Sequence, residues 1–186
     1  MNPILQAADE IDRSCTGLGL RFCLIGGLAV LRWGEPRLTR DVDLTVLCAY
    51  GAEESVIDPL LERFHPRMDD ARDFALRHRV LLLKAANAVP IDIALGALPF
   101  EERTAERASR WQVEEHLQLL TCGPEDLVVH KVFAGRDRDW LDVEGLIERR
   151  RDTLDRQLIR RELGPLLELN DSTHHLVRLE ALFDRT

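Results

Sequence analysis

The spacing of hydrophobic and polar positions changes period several times along this chain, and each change marks an element. Ile4, Leu5, Ala8 and Ile11 recur at helical spacing behind Asn2 and Pro3, a capping residue and a residue suited to the first helical turn. Gly17 and Gly19 interrupt that pattern. The run Arg21-Phe22-Cys23-Leu24-Ile25 then suits a buried strand, and Gly26-Gly27 follow it directly. Residues 28–33 return to a helical composition before Gly34 and Pro36, so this unit reads strand, glycine turn, helix.

A second strand is predicted over residues 41–47, where Asp41-Val42-Asp43-Leu44 alternates and Thr45 and Val46 are β-branched. Residues 56–64 predict a helix with Pro59 in its first turn. Residues 80–84 and 91–95 predict two strands joined by a turn around Asn87 and Pro90. A helix over 100–109 and a strand over 117–120 complete this part. The interleaving of strands and helices, with one hairpin, predicts an α/β (α+β) fold with a mixed twisted sheet flanked by helices.

From Gly123-Pro124-Glu125-Asp126 onward the periodicity is helical throughout. Gly135 is expected to end one helix, and a second runs over 139–150. Two more are marked by Leu154 and Leu158, and by Leu176, Leu179, Leu182 and Phe183, with a separation near Gly164-Pro165. The expected organisation is a sheet-bearing core over 1–122 and a helical C-terminal part over 123–186, packed together as one structural unit.

Composition narrows the class. At 186 residues, 45% apolar and 31% charged, the chain carries enough apolar surface to fold as one domain. Its 33 acidic against 25 basic residues give a formal charge of −8, which argues against a general DNA-binding protein. The longest apolar run, Phe22 to Leu31, is half the roughly 20 residues a spanning helix needs. No charged-then-apolar signal segment opens the chain. A soluble, cytoplasmic protein without a membrane partner is expected. Cys15, Cys23, Cys48 and Cys122 form no Cys-x-x-Cys pair and read as small buried hydrophobes.

Asp41 and Asp43 are the most informative polar residues. Two apart on a strand, they face one side of the sheet. Carboxylates held so close repel unless a cation lies between them, and magnesium takes such hard oxygen ligands while leaving positions for phosphates. The other reading is a strand end facing solvent. Asp92, between Ile91 and Ile93, is a third carboxylate in an apolar strand. It needs a cation or an opening into a polar cleft. If the strands are neighbours, three such acids suit a two-metal site. The Gly26-Gly27 turn lets backbone approach a ligand and offers the N–H groups of the following helix to an anion.

The glycine pair, thirteen intervening residues and Asp41-Val42-Asp43-Leu44 preceded by Arg37-Leu38-Thr39-Arg40 resemble the DNA-polymerase-β-like nucleotidyltransferase superfamily. The Arg-x-Thr-Arg wording most resembles the branch of AbiEii-type toxins of toxin–antitoxin systems. The later segment Glu125-Asp126-Leu127 through Lys131-Val132-Phe133-Ala134-Gly135-Arg136, then Asp139 and Asp142, extends the match. The resemblance implies that Asp41, Asp43 and Asp92 bind two Mg2+ ions, and that Lys131, Asp139 and Asp142 support nucleotide binding and catalysis. Gly26 and Gly27 would cradle the leaving phosphates, with Arg40 and Lys131 offsetting their charge. The implied reaction moves a nucleoside monophosphate from a nucleoside triphosphate to a hydroxyl of RNA, a tRNA end or a protein, with an antitoxin as a partner. Two other readings stay open. One is a non-catalytic nucleotide- or partner-binding module of the same fold, and the other a small-molecule (antibiotic) nucleotidyltransferase.

Lys131 sits among apolar residues, so its ammonium requires an anion, either a triphosphate or Asp142. Alternatively its stem packs while its head reaches water. His130 reads as packed or surface, and His174-His175 as a helix start at the surface. The arginines Arg149, Arg150, Arg151, Arg156, Arg160 and Arg161 interleave with acids. They suit a solvated, ion-paired helix face, or else a docking surface for RNA or an acidic partner.

Overall fold

The computed structural model describes residues 2–169 and 171–185. In chain order the elements are α1 (Pro3–Gly17), β1 (Phe22–Leu24), α2 (Gly26–Trp33), β2 (Val42–Leu47), α3 (Glu54–Leu61), β3 (His65–Pro66), α4 (Ala71–His78) and β4 (Val80–Lys84). They continue with β5 (Pro90–Gly96), α5 (Pro99–Arg107), β6 (Ser109–Glu114), β7 (Leu117–Thr121), α6 (Pro124–Ala134), α7 (Asp137–Arg150), α8 (Arg156–Leu169) and α9 (His174–Arg185). Two compact units result, residues 1–28 with 38–122 and residues 29–37 with 123–186. The segment 29–37, sequence-local to the sheet, thus belongs with the C-terminal helices.

The first unit is built on a seven-stranded sheet in the order β3-β4-β5-β2-β1-β7-β6. It is mixed, as the hairpin pattern requires. β2 runs parallel to β5 and β1 parallel to β7, while the β1/β2, β3/β4, β4/β5 and β6/β7 pairs are antiparallel. Val42, Leu44 and Val46 of β2 lie opposite Ile91, Ile93 and Leu95 of β5, and all six are buried. The alternation read from the sequence is therefore the inner face of two neighbouring strands. Helix α1 starts where Asn2 accepts a hydrogen bond from the Ile4 amide at 2.9 Å. It packs on β7 and β2 through a face that includes Ala8, Ile11 and Cys15.

In the second unit α6, α7, α8 and α9 enclose Leu127, Val128, Trp140, Leu146, Leu163 and Phe183. Gly135 closes α6 in the left-handed conformation, φ 64°, with its amide on the Lys131 carbonyl at 2.9 Å. The expected separation at Gly164-Pro165 does not occur. Helix α8 runs through both residues, because Ile159, Leu163, Leu166 and Leu167 are buried on one stripe that outweighs the amide lost at Pro165. The break comes instead after α8, where Asp171 takes a φ of 48°.

Three elements were not expected from the pattern. Helix α4 buries only Ala71 and Ala75, too few positions to register as an apolar stripe. Strand β3 has two exposed residues, and β6 alternates weakly because it lies at the sheet edge. Ser109, expected at a helix end, begins β6. All four cysteines are buried, and none is joined in a disulfide. Among the described residues no helix is long and apolar enough to cross a membrane.

Candidate active site

Asp43 on β2 and Asp92 on β5 are direct register partners across a parallel pair of strands. Each is half-buried between fully buried neighbours, so both carboxylates stand on the sheet face opposite the packed core. Asp41 precedes β2 by one residue and lies close enough to Asp92 for its negative charge to be felt there. Burial pushes the Asp92 carboxyl above its usual range, Arg67 pulls it back, and Asp41 pushes it up again.

Two glycines bring backbone against these acids. Gly26 opens α2 with a φ of 58°, and a Cβ there would collide with the Asp43 carboxylate. A Cβ on Gly27 would collide with the side chain of Thr39. The Ile25 amide donates to the Asp43 carbonyl at 2.9 Å, tying the β1–α2 junction to β2. Thr39, buried, donates from Oγ1 to Asp41 Oδ1 at 3.0 Å and so fixes that carboxylate. Arg40, between them, is exposed.

Asp92 carries a cationic partner of its own, since Arg67 Nη1 donates to Asp92 Oδ1. Among the described residues no three or more His, Cys, Asp or Glu side chains are arranged as a ready metal-binding group. The donor set nevertheless fits a hard dication. Asp43 and Asp92 lie in direct register, Asp41 stands two residues before Asp43 and its charge bears on Asp92, and the Gly26 backbone is pressed against the Asp43 carboxylate with no side chain between.

Lys131, Asp139 and Asp142 belong to the helical unit. There Lys131 Nζ lies 2.9 Å from Asp139 Oδ1 and 2.8 Å from Asp142 Oδ2, and all three side chains are buried. Arg37 adds a bidentate pair to Asp142 at 2.6 and 2.8 Å, and Arg136 donates to Asp139 at 2.6 Å. Burial pushes both carboxyls up, but these hydrogen bonds outweigh it and hold them below the usual range. Of the two anions that could satisfy Lys131, the structure supplies Asp142, with Asp139 beside it.

Sequence reasoning gave no role to three residues that hold candidate site carboxylates. Thr39 stood within the Arg-x-Thr-Arg motif, and a hydroxyl two residues before Asp41 was the available signal. Arg37 opened the same motif, but nothing in the spacing tied it to Asp142, 105 residues away, and Arg67 carried no signal for Asp92, 25 residues away. His174 and His175 open α9 as expected and His174 is exposed, but His175 is half-buried. It stacks edge-on against Trp140 with ring centroids 5.5 Å apart and lies against Gly135. The basic stretch is a paired helix face in part, with Arg160 bidentate to Glu180 at 2.6 and 2.7 Å and Arg149 donating to the Gly34 carbonyl.

A family model described as "Nucleotidyltransferase of unknown function (DUF6036)" matches residues 3–160. The chain belongs to this nucleotidyltransferase family. No functionally curated protein matches its sequence. Among solved structures, the fold is similar to an antigenic nucleotidyltransferase-like protein from Paracoccidioides brasiliensis, with a TM-score of 0.56 at 13% identity over 95% of this chain and 92% of that one. It is also similar to the antibiotic-resistance factor ANT(2'')-Ia, with a TM-score of 0.55 at 11% identity over 94% and 96%. At these identities the likeness is one of fold, and the nucleotidyltransferase fold of this family is thereby established.

Proposed function

We propose that this protein transfers a nucleoside monophosphate from a nucleoside triphosphate to a hydroxyl acceptor, with two Mg2+ ions held by Asp41, Asp43 and Asp92. The single observation that carries this reading is the register of Asp43 with Asp92, with Asp41 alongside and glycine backbone pressed against the Asp43 carboxylate. Family membership supports the reaction class. When bound, the ions would neutralise charge on the triphosphate and lower the pKa of the acceptor hydroxyl.

In the proposed reaction the acceptor oxygen bonds to the α-phosphorus as the bond to the β-phosphate oxygen breaks, and pyrophosphate leaves. The chain's own residues bind and orient. The amides at the start of α2 face the phosphates, Gly26 and Gly27 allow their close approach, and exposed Arg40 offsets their charge. Thr39 holds the Asp41 carboxylate in place. A phosphate contact by Lys131 would compete with its two ion pairs, so Lys131, Asp139 and Asp142 are assigned to the architecture that supports nucleotide binding.

The Arg37-Leu38-Thr39-Arg40-Asp41-Val42-Asp43 wording favours an AbiEii-type setting, in which the acceptor is RNA, a tRNA end or a protein and an antitoxin is the partner. A small-molecule acceptor is the second reading, favoured by the fold likeness to an antibiotic-resistance factor. Titration calorimetry of the four nucleoside triphosphates with and without Mg2+ tests the site. Binding of one magnesium–triphosphate complex is expected, and it should vanish in the Asp41→Asn, Asp43→Asn double variant while circular dichroism stays unchanged. Pyrophosphate release at the wild-type rate by either single variant would sink the mechanism.

A further inference from the structure

Arg67 is placed to compete with a metal ion for Asp92. Its amide donates to the Leu82 carbonyl at 3.0 Å, and Leu82 is the register partner of Asp92 on β4. Arg67 is therefore anchored at the β3 position, two strands from Asp92, with a side chain that reaches across β4 to the carboxylate. Both side chains are partly open to solvent, at 30% and 36% of their surface, so the pair can exchange with a dissolved ion. Arg67 immediately follows β3, an edge strand of the sheet only two residues long. The guanidinium occupies Oδ1 of Asp92 and leaves Oδ2 open, but its positive charge opposes a divalent ion at the same carboxylate, so the two compete for Asp92.

We propose that Arg67 is a tethered counter-ion of Asp92 that competes with metal, so that the Arg67–Asp92 pair weakens metal binding at this carboxylate. This inference rests on the metal-binding reading of the three acids. Arg67 is a regulating residue in this scheme, acting on the affinity of the site through Asp92. By linkage, the apparent metal affinity is lowered by the fraction of molecules in which Asp92 is held by Arg67.

Manganese titration followed by the loss of the free Mn2+ electron paramagnetic signal reads the affinity without any turnover. Arg67→Gln should bind Mn2+ about three- to fivefold more tightly than wild type, the ordinary size of a solvent-accessible ion pair. Arg67→Lys should fall between them. In an Asp92→Asn background the Arg67→Gln change should leave Mn2+ affinity unaltered, which separates action through Asp92 from a general loss of positive charge. Equal or weaker Mn2+ binding by Arg67→Gln, or the same gain in the Asp92→Asn background, overturns the counter-ion role and leaves the metal site standing. Absence of Mn2+ binding in wild type and Arg67→Gln alike overturns the metal-binding reading itself.

Discussion

The backbone of Gly26 passes so close to the carboxylate of Asp43 that no side chain fits between them. The same residue holds a left-handed φ of 58°. Two independent constraints thus demand glycine at the point where strand, helix and acid meet. Gly26→Ala should lose about 1–2 kcal/mol from the backbone conformation alone, with a further cost from displacing Asp43. Urea unfolding measures the first, and loss of magnesium–triphosphate binding measures the second. Gly19→Ala, at a similar left-handed φ of 68° where an added Cβ meets nothing within 4 Å, is the matched control and should show the backbone cost while leaving magnesium–triphosphate binding unchanged.

Thr39 acts on Asp41 through one hydrogen bond of 3.0 Å. Replacing it with Val keeps the shape and removes the donor. If Asp41 is a metal ligand, Mn2+ affinity should fall about ten- to a hundredfold, the usual effect of losing a group that orients a ligand. Thermal stability should change little, because Val fills the buried volume of Thr39.

Lys131 bridges two buried carboxylates that are each also held by an arginine. Lys131→Met leaves that acid pair without its shared cation and should destabilise the protein by about 3 kcal/mol, the lower end for breaking a buried ion pair. Asp142→Asn combined with Lys131→Met should cost less than the sum of the two single changes. Chemical denaturation of the three variants decides it, and additive costs would show that the network does not act as a unit.

His130 gives the helical unit a pH dependence. Its ring nitrogen Nε2 is buried, and burial together with the neighbouring Lys131 charge lowers its pKa from 6.5 to about 4. A depressed pKa means that the unfolded chain takes up the proton first. Stability is therefore full above pH 6.5 and declines as pH falls from there toward 4. Asp139 and Asp142, held below 3.8, add their loss only at lower pH. His130→Gln should flatten the slope of unfolding free energy between pH 6.5 and 4 and leave the steeper acid limb in place.

The cysteines should be inert in the folded protein. All four are buried, and burial, aided by the nearby charge of Asp12, pushes the Cys15 thiol up to about 12. Maleimide at neutral pH should label none of them natively and all four in denaturant. Native labelling of any one would show that its element opens.

What the sequence determined by itself was local. The alternation in Val42-Asp43-Leu44 and Ile91-Asp92-Ile93 was enough to place two buried strands and to expose three acids on their polar sides, because strand periodicity is carried by nearest neighbours. The glycine pair and the Asp-x-Asp spacing likewise pointed to a nucleotidyltransferase, and a nucleotidyltransferase family model matches residues 3–160. Tertiary structure alone decided the rest. That Asp43 lies opposite Asp92 depends on β2 and β5 becoming parallel neighbours across α3, β3, α4 and β4. That Arg67 takes Asp92, and that Arg37 reaches Asp142 across 105 residues of chain, depends on where distant segments come to rest. An ion pair leaves no period in the sequence, since Coulomb attraction acts through space and has no fixed separation along the chain. The helix through Gly164-Pro165 shows the same limit from the other side. Its breakers were legible, and the buried face of Ile159, Leu163, Leu166 and Leu167 that overrode them required the neighbouring helices to be in place.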